Sequence, residues 1–196
     1  GLAGPVRGVA IAALGLALGG ERVLGQIEVP LPQILAEAEQ AISARHPEEA
    51  APLLDLVLDR LARGAALPAG LSGDRLRLAA ATVHFQSQSH ARAEAIASEL
   101  VKAGGAGAVV AEGRMVLGLA LALQEKFAEA IPVFAALENS TFHRDRARLY
   151  GAIAARQAGQ IEVAIAAYER LLGAAPRDAE WADSALVLIS LHLQQK

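Results

Sequence analysis

Two segments of this chain repeat one pattern of small and large apolar residues at a fixed distance. In LQEKFAEAIPVFAAL (residues 123–137), Ala130 stands four residues before Phe134, just after a charged turn. In RQAGQIEVAIAAYERLL (residues 156–172), Ala164 stands four residues before Tyr168, 34 positions further along the chain. Periods of about 20 to 50 residues are typical of solenoids, in which no unit buries its apolar face without its neighbours. The repeat therefore constrains the fold before any candidate site is considered.

The residues around this pair resemble the tetratricopeptide repeat (TPR), with its period of about 34 residues and its pattern W-x2-L-G-x2-Y…A-x3-F…P. Residues 111–144 carry Leu117, Gly118, Ala130 and Phe134, and residues 145–178 carry Ala152, Ala164, Tyr168 and Pro176. The chain departs from the pattern at the Trp slot (Arg114, Arg148) and at the Tyr slot (Leu121, Ala155). The resemblance implies two antiparallel helices per repeat, with the small residues where the helices cross most closely.

Two further copies lie upstream of this pair. Residues 31–64 place Ala50 four residues before Leu54, with Pro52 in the slot that Pro132 occupies later. Residues 74–107 form the weakest copy, in which Ala93 and Ala97 fit the small slots. Gly- and Pro-rich breaks separate the copies, and Asp74 is a candidate helix cap after the first break. Residues 179–196 follow helical spacing and predict a C-terminal capping helix with a polar end.

The composition agrees with an all-α fold. Hydrophobic residues make up 54% of the 196 residues but aromatic residues only 4%, so the core is built from small and aliphatic side chains. A β-sandwich would call for more β-branched and aromatic residues. The sequence thus predicts a right-handed α-solenoid of four TPR-like hairpins plus a capping helix, all within residues 26–196.

Residues 1–25 differ from the rest, because an uncharged apolar run extends from Gly8 to Gly20 after Arg7. As a helix this run would be roughly 20 Å long, shorter than the roughly 30 Å hydrocarbon core, so we expect no spanning segment. Its length suits a signal-peptide core, followed by a cleavage-like ending at Val23-Leu24-Gly25. The alternative is a helix that packs on the end of the fold.

Candidate chemistry is sparse. Cysteine is absent, which excludes thiolate nucleophiles and Cys-based zinc sites. The glycines of residues 104–109 lack the preceding strand and the following Lys of a phosphate loop, so they predict a loop between repeats. No pair of the five histidines has the spacing of a metal site, and no basic stripe marks a nucleic-acid surface. We therefore predict no catalytic, cofactor or metal site, and no nucleic-acid partner.

The resemblance instead implies a binding surface, because the first helix of each TPR hairpin usually lines a concave groove. The predicted groove residues are Leu78, Phe85, Met115, Leu119, Leu149, Ile153 and Arg156. Thr82 and Leu123 extend this set, and Arg146 and Arg148 stand with Arg156 near one end. Such a groove would suit an apolar or amphipathic protein segment. The alternative is that these side chains simply pack against the next repeat.

The sequence thus predicts a non-catalytic scaffold or adaptor that binds a protein or peptide segment, and the prediction leaves homo-oligomers open. The composition and the signal-like start favour an accessory of a bacterial envelope assembly or secretion system, in the envelope or periplasm. One alternative is a cytoplasmic adaptor whose first helix is structural. Another, from a different class, is a regulatory module of a larger enzyme.

Overall fold

The computed structural model describes residues 29–104, 107–174 and 179–194. The chain divides into residues 1–30 and 31–196, and the second unit contains all the helices described here. The described helices are α1 (Leu31–Ser43), α2 (Pro47–Ala62), α3 (Gly73–Gln86), α4 (His90–Lys102), α5 (Ala108–Leu123), α6 (Phe127–Ala135), α7 (Arg144–Gln157), α8 (Ile161–Ala174) and α9 (Ala179–Gln194). The fold is all-α. The predicted signal-like segment (residues 1–25), Pro176 and the two final residues lie outside the described residues.

The first eight helices form four hairpins, α1–α2, α3–α4, α5–α6 and α7–α8, each closed by a three-residue turn. The middle residue of each turn has a positive φ, namely Arg45, Gln88, Glu125 and Gly159. In each turn the amide of the third residue donates to the carbonyl five positions earlier, as in Lys126 N to Leu121 O at 3.0 Å. This is the bond that ends a helix in a Schellman motif, so one local device builds all four hairpins.

Five residues after each positive-φ position lies a fully buried alanine. These are Ala50, Ala93, Ala130 and Ala164, each with no measurable exposure. Four residues further on are the buried side chains Leu54, Ala97, Phe134 and Tyr168. Each alanine lies one turn inside its second helix, where the helices of the hairpin converge, and a larger side chain would overpack this contact.

Glycines on α5 show how closely the helices approach each other. A Cβ built on Gly118 would lie 2.6 Å from the Phe134 ring of its own hairpin. A Cβ built on Gly113 would lie 2.7 Å from Leu100 Cδ2 of the preceding hairpin. At these two glycines, the backbone of α5 therefore lies directly against side chains of α4 and α6.

The loops between hairpins differ in length, whereas the turns within hairpins do not. Because the helices also differ in length, the positive-φ residues of successive turns are 43, 37 and 34 positions apart. The longest connection, between α2 and α3, ends at Ser72, whose Oγ accepts a hydrogen bond from Arg75 N at 3.2 Å. The cap of α3 is therefore Ser72 and not the predicted Asp74, which lies in the first turn of the helix.

Helix α9 packs on α8 at the end of the stack. Leu191 and Ser184 are buried, and Trp181 Nε1 donates to Leu172 O at 3.0 Å. The opposite side of α9 exposes large apolar side chains. Leu186, Ile189 and Leu193 are 66%, 56% and 64% exposed.

Candidate binding surface

The first helices of hairpins 2, 3 and 4 contact one another in addition to the second helices that precede them. Among the described residues, α3 contacts α5 and α5 contacts α7, whereas no comparable contact joins the second helices of neighbouring hairpins. The first helices therefore line the narrower side of the stack. We call the solvent-facing side chains on this side the inner face; it comprises Leu78, Thr82, Phe85, Leu119, Leu123 and Ile153.

Helix α5 shows how the inner face arises. Its buried residues, including Gly113, Gly118 and Leu121, face α4 and α6. Leu119 and Leu123 are one turn apart on the remaining side of the helix. Leu119 is half-buried and Leu123 is 57% exposed, so apolar surface at this point reaches solvent.

Not every predicted groove residue is accessible. Met115 is only 3% exposed and belongs to the core. Leu149 is partly buried and packs against the cluster that includes Ala152, Tyr168 and Leu191. At these two positions the side chains pack against neighbouring helices, which is the alternative to a groove given in the sequence analysis.

The other predicted residues are half-buried: Leu78, Phe85, Leu119, Ile153 and Arg156. Phe85 also contacts His90 across the turn, with ring centroids 5.5 Å apart. The charge of Arg156 acts on Tyr168 of α8. Burial raises the pKa of the Tyr168 hydroxyl, and the guanidinium opposes this rise. Arg156 therefore lies at the boundary between the inner face and the last core cluster.

Hairpin 1 adds to the inner face two side chains that the sequence analysis did not predict. Leu35 and Ile42 precede the turn residue Arg45 by the same distances at which Leu78 and Phe85 precede Gln88. Leu35 is half-buried and Ile42 is 39% exposed. Counting back from each turn, instead of applying one fixed period, would have identified both.

Charged side chains join consecutive hairpins. Lys126 Nζ and Gln124 Nε2, both in the third turn, lie 2.7 and 2.8 Å from Glu94 Oε2 of α4. The hydrogen bond from Lys126 is the main influence that lowers the pKa of the Glu94 carboxyl, while partial burial opposes it. This carboxylate therefore fixes the third hairpin against the second.

A second carboxylate acts between hairpins 1 and 2. Arg92 Nε and Nη2 donate to Asp55 Oδ1 at 2.9 and 2.7 Å. The buried His84 approaches the same carboxylate, with Nε2 3.2 Å from Oδ2, although not in hydrogen-bond geometry. Asp55 and its partners are thus explained by stacking and require no ligand.

A small cleft lies elsewhere, between α6, α7 and α8. It measures about 40 Å³ and is lined by Ile131, Val163 and Ala167, with Arg148 and Arg170 at its edge. Arg170 Nη2 lies 3.5 Å from Glu138 Oε1 there. Arg148 thus lies in this cleft instead of beside Arg156 on the inner face. The volume is close to that of one water molecule, so the cleft is too small for an organic ligand.

The described residues contain no cluster of three His, Cys, Asp or Glu side chains able to hold a metal ion. In the same part of the chain, none of the helices has the length and apolarity needed to cross a membrane. Gly104 and Gly107 lie between the end of α4 and the start of α5, in a connection between hairpins.

Comparison with solved structures gives the fold. MamA residues 41-end from Desulfovibrio magneticus RS-1 superposes with a TM-score of 0.62 at 14% identity, covering 85% of this chain and 97% of that one. MamA of MSR-1 also gives a TM-score of 0.62 at 14% identity, over 84% and 86% of the two chains. A putative kinesin light chain with nearly identical TPR-like repeats from Podosopora anserina gives 0.62 at 15% identity, over 83% and 85%.

This chain has a TPR-like helical-repeat fold. At these identities the likeness concerns the fold alone. No family model matches the chain, and no curated protein matches it. The resemblance predicted from Ala130, Phe134, Ala164 and Tyr168 is therefore confirmed as a fold.

Proposed function

We propose that this protein is a non-catalytic scaffold that binds a protein segment along its inner face. The observation that carries the proposal is the apolar side chains on adjacent first helices, above all Leu119 and Leu123 on α5 and Ile153 on α7. They reach solvent although the helices that bear them are otherwise packed. TPR-like solenoids present such surfaces to their partners, and the fold of this chain supports the same use.

The chemistry of the inner face favours an apolar or amphipathic segment. Thr82 of α3 and Glu39 of α1 occupy the same position relative to their turns as Leu119 and Ile153 do. These four equivalent positions are thus polar in the first two hairpins and apolar in the last two. An amphipathic helix laid across the first helices would place its apolar side over Leu119 and Ile153.

The cellular context is part of the proposal. An accessory role in a bacterial envelope assembly or secretion system rests on the composition and on the apolar residues 8–20. N-terminal sequencing of the native protein tests this context, since a mature chain that begins after residue 25 supports export. A chain that retains residues 1–25 supports a cytoplasmic adaptor instead. A gene that encodes a fused catalytic domain would support the regulatory-module alternative.

The binding surface is tested with the doubly substituted chain Leu119→Asp/Ile153→Asp. The wild-type chain and a Val163→Asp control are used side by side in affinity capture from the source cells. Val163 is 43% exposed on α8, away from the inner face. We expect the double variant to capture at least tenfold less of a protein that the wild type and Val163→Asp both retain. Equal retention by all three chains would contradict binding through the inner face.

A further inference from the structure

Helix α9 carries more exposed large hydrophobic side chains than any other described helix. Three large hydrophobic side chains that are exposed, Leu186, Ile189 and Leu193, share this one helix. With the exposed Ala182 they are spaced by four, three and four residues. This spacing forms one continuous stripe along a helix and is the seam pattern of two paired helices.

The repeat explains why this stripe is bare. Leu186 and Ile189 follow Ala152 and Ala155 by 34 positions, and those two alanines are fully buried in the core cluster that contains Tyr168 of α8. Helix α9 thus stands in the place of a first helix. The side of it that a second helix covers in the preceding hairpins faces solvent. The surface is therefore shaped to receive an antiparallel helix.

We propose that the helix that covers this side is α9 of a second copy, in an antiparallel pair related by a two-fold axis. With the axis between Val187 and Leu188, Leu186 of each copy faces Ile189 of the other. In the same register Ala182 faces Leu193, so a small residue opposes a large one at both ends of the seam. A two-fold interface must be self-complementary in this way, since each contact occurs twice.

The flanking residues are compatible with this register. In antiparallel pairing the residues beside the seam meet their counterparts on the same side. Asp183 then meets Ser190 of the other copy, and Ala185 meets His192. Asp183, Ser190 and His192 are exposed; His192 Nε2 also lies 3.7 Å from Glu169 Oε1, and Ser190 Oγ donates to Val187 O at 2.7 Å. No like charges are brought together, and the seam itself contains no charged residue.

The seam from Ala182 to Leu193 is only about 16 Å long. A seam of this length buries less surface area than a standard interface, which buries about 1,200–2,000 Å². We therefore expect a reversible dimer. This proposal is independent of ligand binding at the inner face, which lies on other helices.

Cysteine cross-linking of the whole chain tests the register without background, because the natural sequence contains no cysteine. Two single variants are prepared, Ala182→Cys and Leu193→Cys, one of them with a longer tag. In the proposed dimer the thiol introduced by Ala182→Cys in one copy faces the thiol introduced by Leu193→Cys in the other, whereas identical positions are about 16 Å apart along the axis. A disulfide needs Cα atoms within roughly 7 Å. We expect the mixture to form the disulfide-linked mixed dimer on oxidation and each variant alone to remain without a cross-link, as read on a non-reducing gel.

Sedimentation equilibrium of the cysteine-free chain provides the second readout. We expect a concentration-dependent dimer whose dissociation constant rises at least tenfold in Leu186→Glu/Ile189→Glu and is unchanged in Val163→Glu. Circular dichroism should show the same helicity for all three, since the replaced side chains are exposed. A monomer at every concentration would overturn the proposal. Cross-linking of Ala182→Cys with itself would also overturn it, because that result requires parallel helices or an antiparallel pair in another register.

Discussion

At the scale of single residues, the hairpins depend on positions where the backbone conformation favours glycine or where the packing leaves no room for a larger side chain. The middle residue of each turn adopts a positive φ, a conformation that costs an L-residue roughly 1–2 kcal/mol and glycine much less. Gly159 meets this requirement, whereas Arg45, Gln88 and Glu125 do not. Gly118 is needed for a different reason, because the Phe134 ring occupies the space of its missing Cβ.

The turns give a reciprocal prediction. Gly159→Ala should lower the free energy of unfolding by about 1 kcal/mol, since alanine is strained at a positive φ. Gln88→Gly should raise it by a few tenths of a kcal/mol, because relief of strain exceeds the added freedom of the unfolded chain. Urea midpoints with unchanged slopes measure both effects. Shifts of the same sign would show that the two turns do not share one conformation.

The glycines of the first helices give a matched pair. In Gly118→Ala the new methyl would lie 2.6 Å from the ring of the fully buried Phe134, so overpacking should cost about 1–3 kcal/mol. In Gly151→Ala the nearest atom is Phe134 Cβ at 3.4 Å, so the gain in helix propensity of up to about 1 kcal/mol should prevail. Thermal melting compares the two variants. A more stable Gly118→Ala protein would refute the close packing of α5 on α6.

At the scale of elements, the sequence predicted the helices and the later hairpins better than the relation between hairpins. The pattern around Ala130 and Ala164 was clear because α6, the loop after it and α7 together give a spacing of 34 residues. Between the first two turns the spacing is 43, mainly because α2 has 16 residues and α6 only nine, so a fixed period of 34 does not align Ala93 with Ala50. Burial depends on how helices stack, so the sequence could not distinguish Met115, in the core, from Leu119, at the surface.

The contact between Glu94 and Lys126 predicts how stacking responds to pH. The pKa of Glu94 is lowered in the folded chain, so the pair stabilises the fold above the ordinary carboxyl pKa, and this contribution is lost as the pH falls through the lowered value. The pKa of Lys126 is raised, so at the basic end the contribution is lost only as the pH rises past the raised pKa.

Glu94→Gln should therefore reduce the difference in stability between neutral and acidic solution. Urea midpoints between about pH 3 and pH 7, a range that brackets ordinary carboxyl pKa values, measure this, with the exposed Glu99→Gln as the control. Identical pH profiles for Glu94→Gln and the wild type would contradict a role of Glu94 in stacking.

At the scale of the whole molecule, the described helices stack so that each hairpin contacts mainly its neighbours. The stack leaves two apolar surfaces open, the inner face and the bare side of α9. The first is shared among hairpins and depends on their order, whereas the second belongs to one helix. Residues 31–194 thus combine a fold maintained by small residues with surfaces whose larger side chains remain available to partners.

The inner face can bind a partner only if its side chains belong to the surface and not to the core. The most direct test is thermal melting, followed by circular dichroism, of Leu119→Asp/Ile153→Asp beside Met115→Asp. A buried unpaired carboxylate costs several kcal/mol, so Met115→Asp should unfold or lose most of its stability. The double variant should retain its helicity and melt within a few degrees of the wild type. A double variant that collapses as Met115→Asp does would contradict an exposed inner face and place Leu119 and Ile153 in the core.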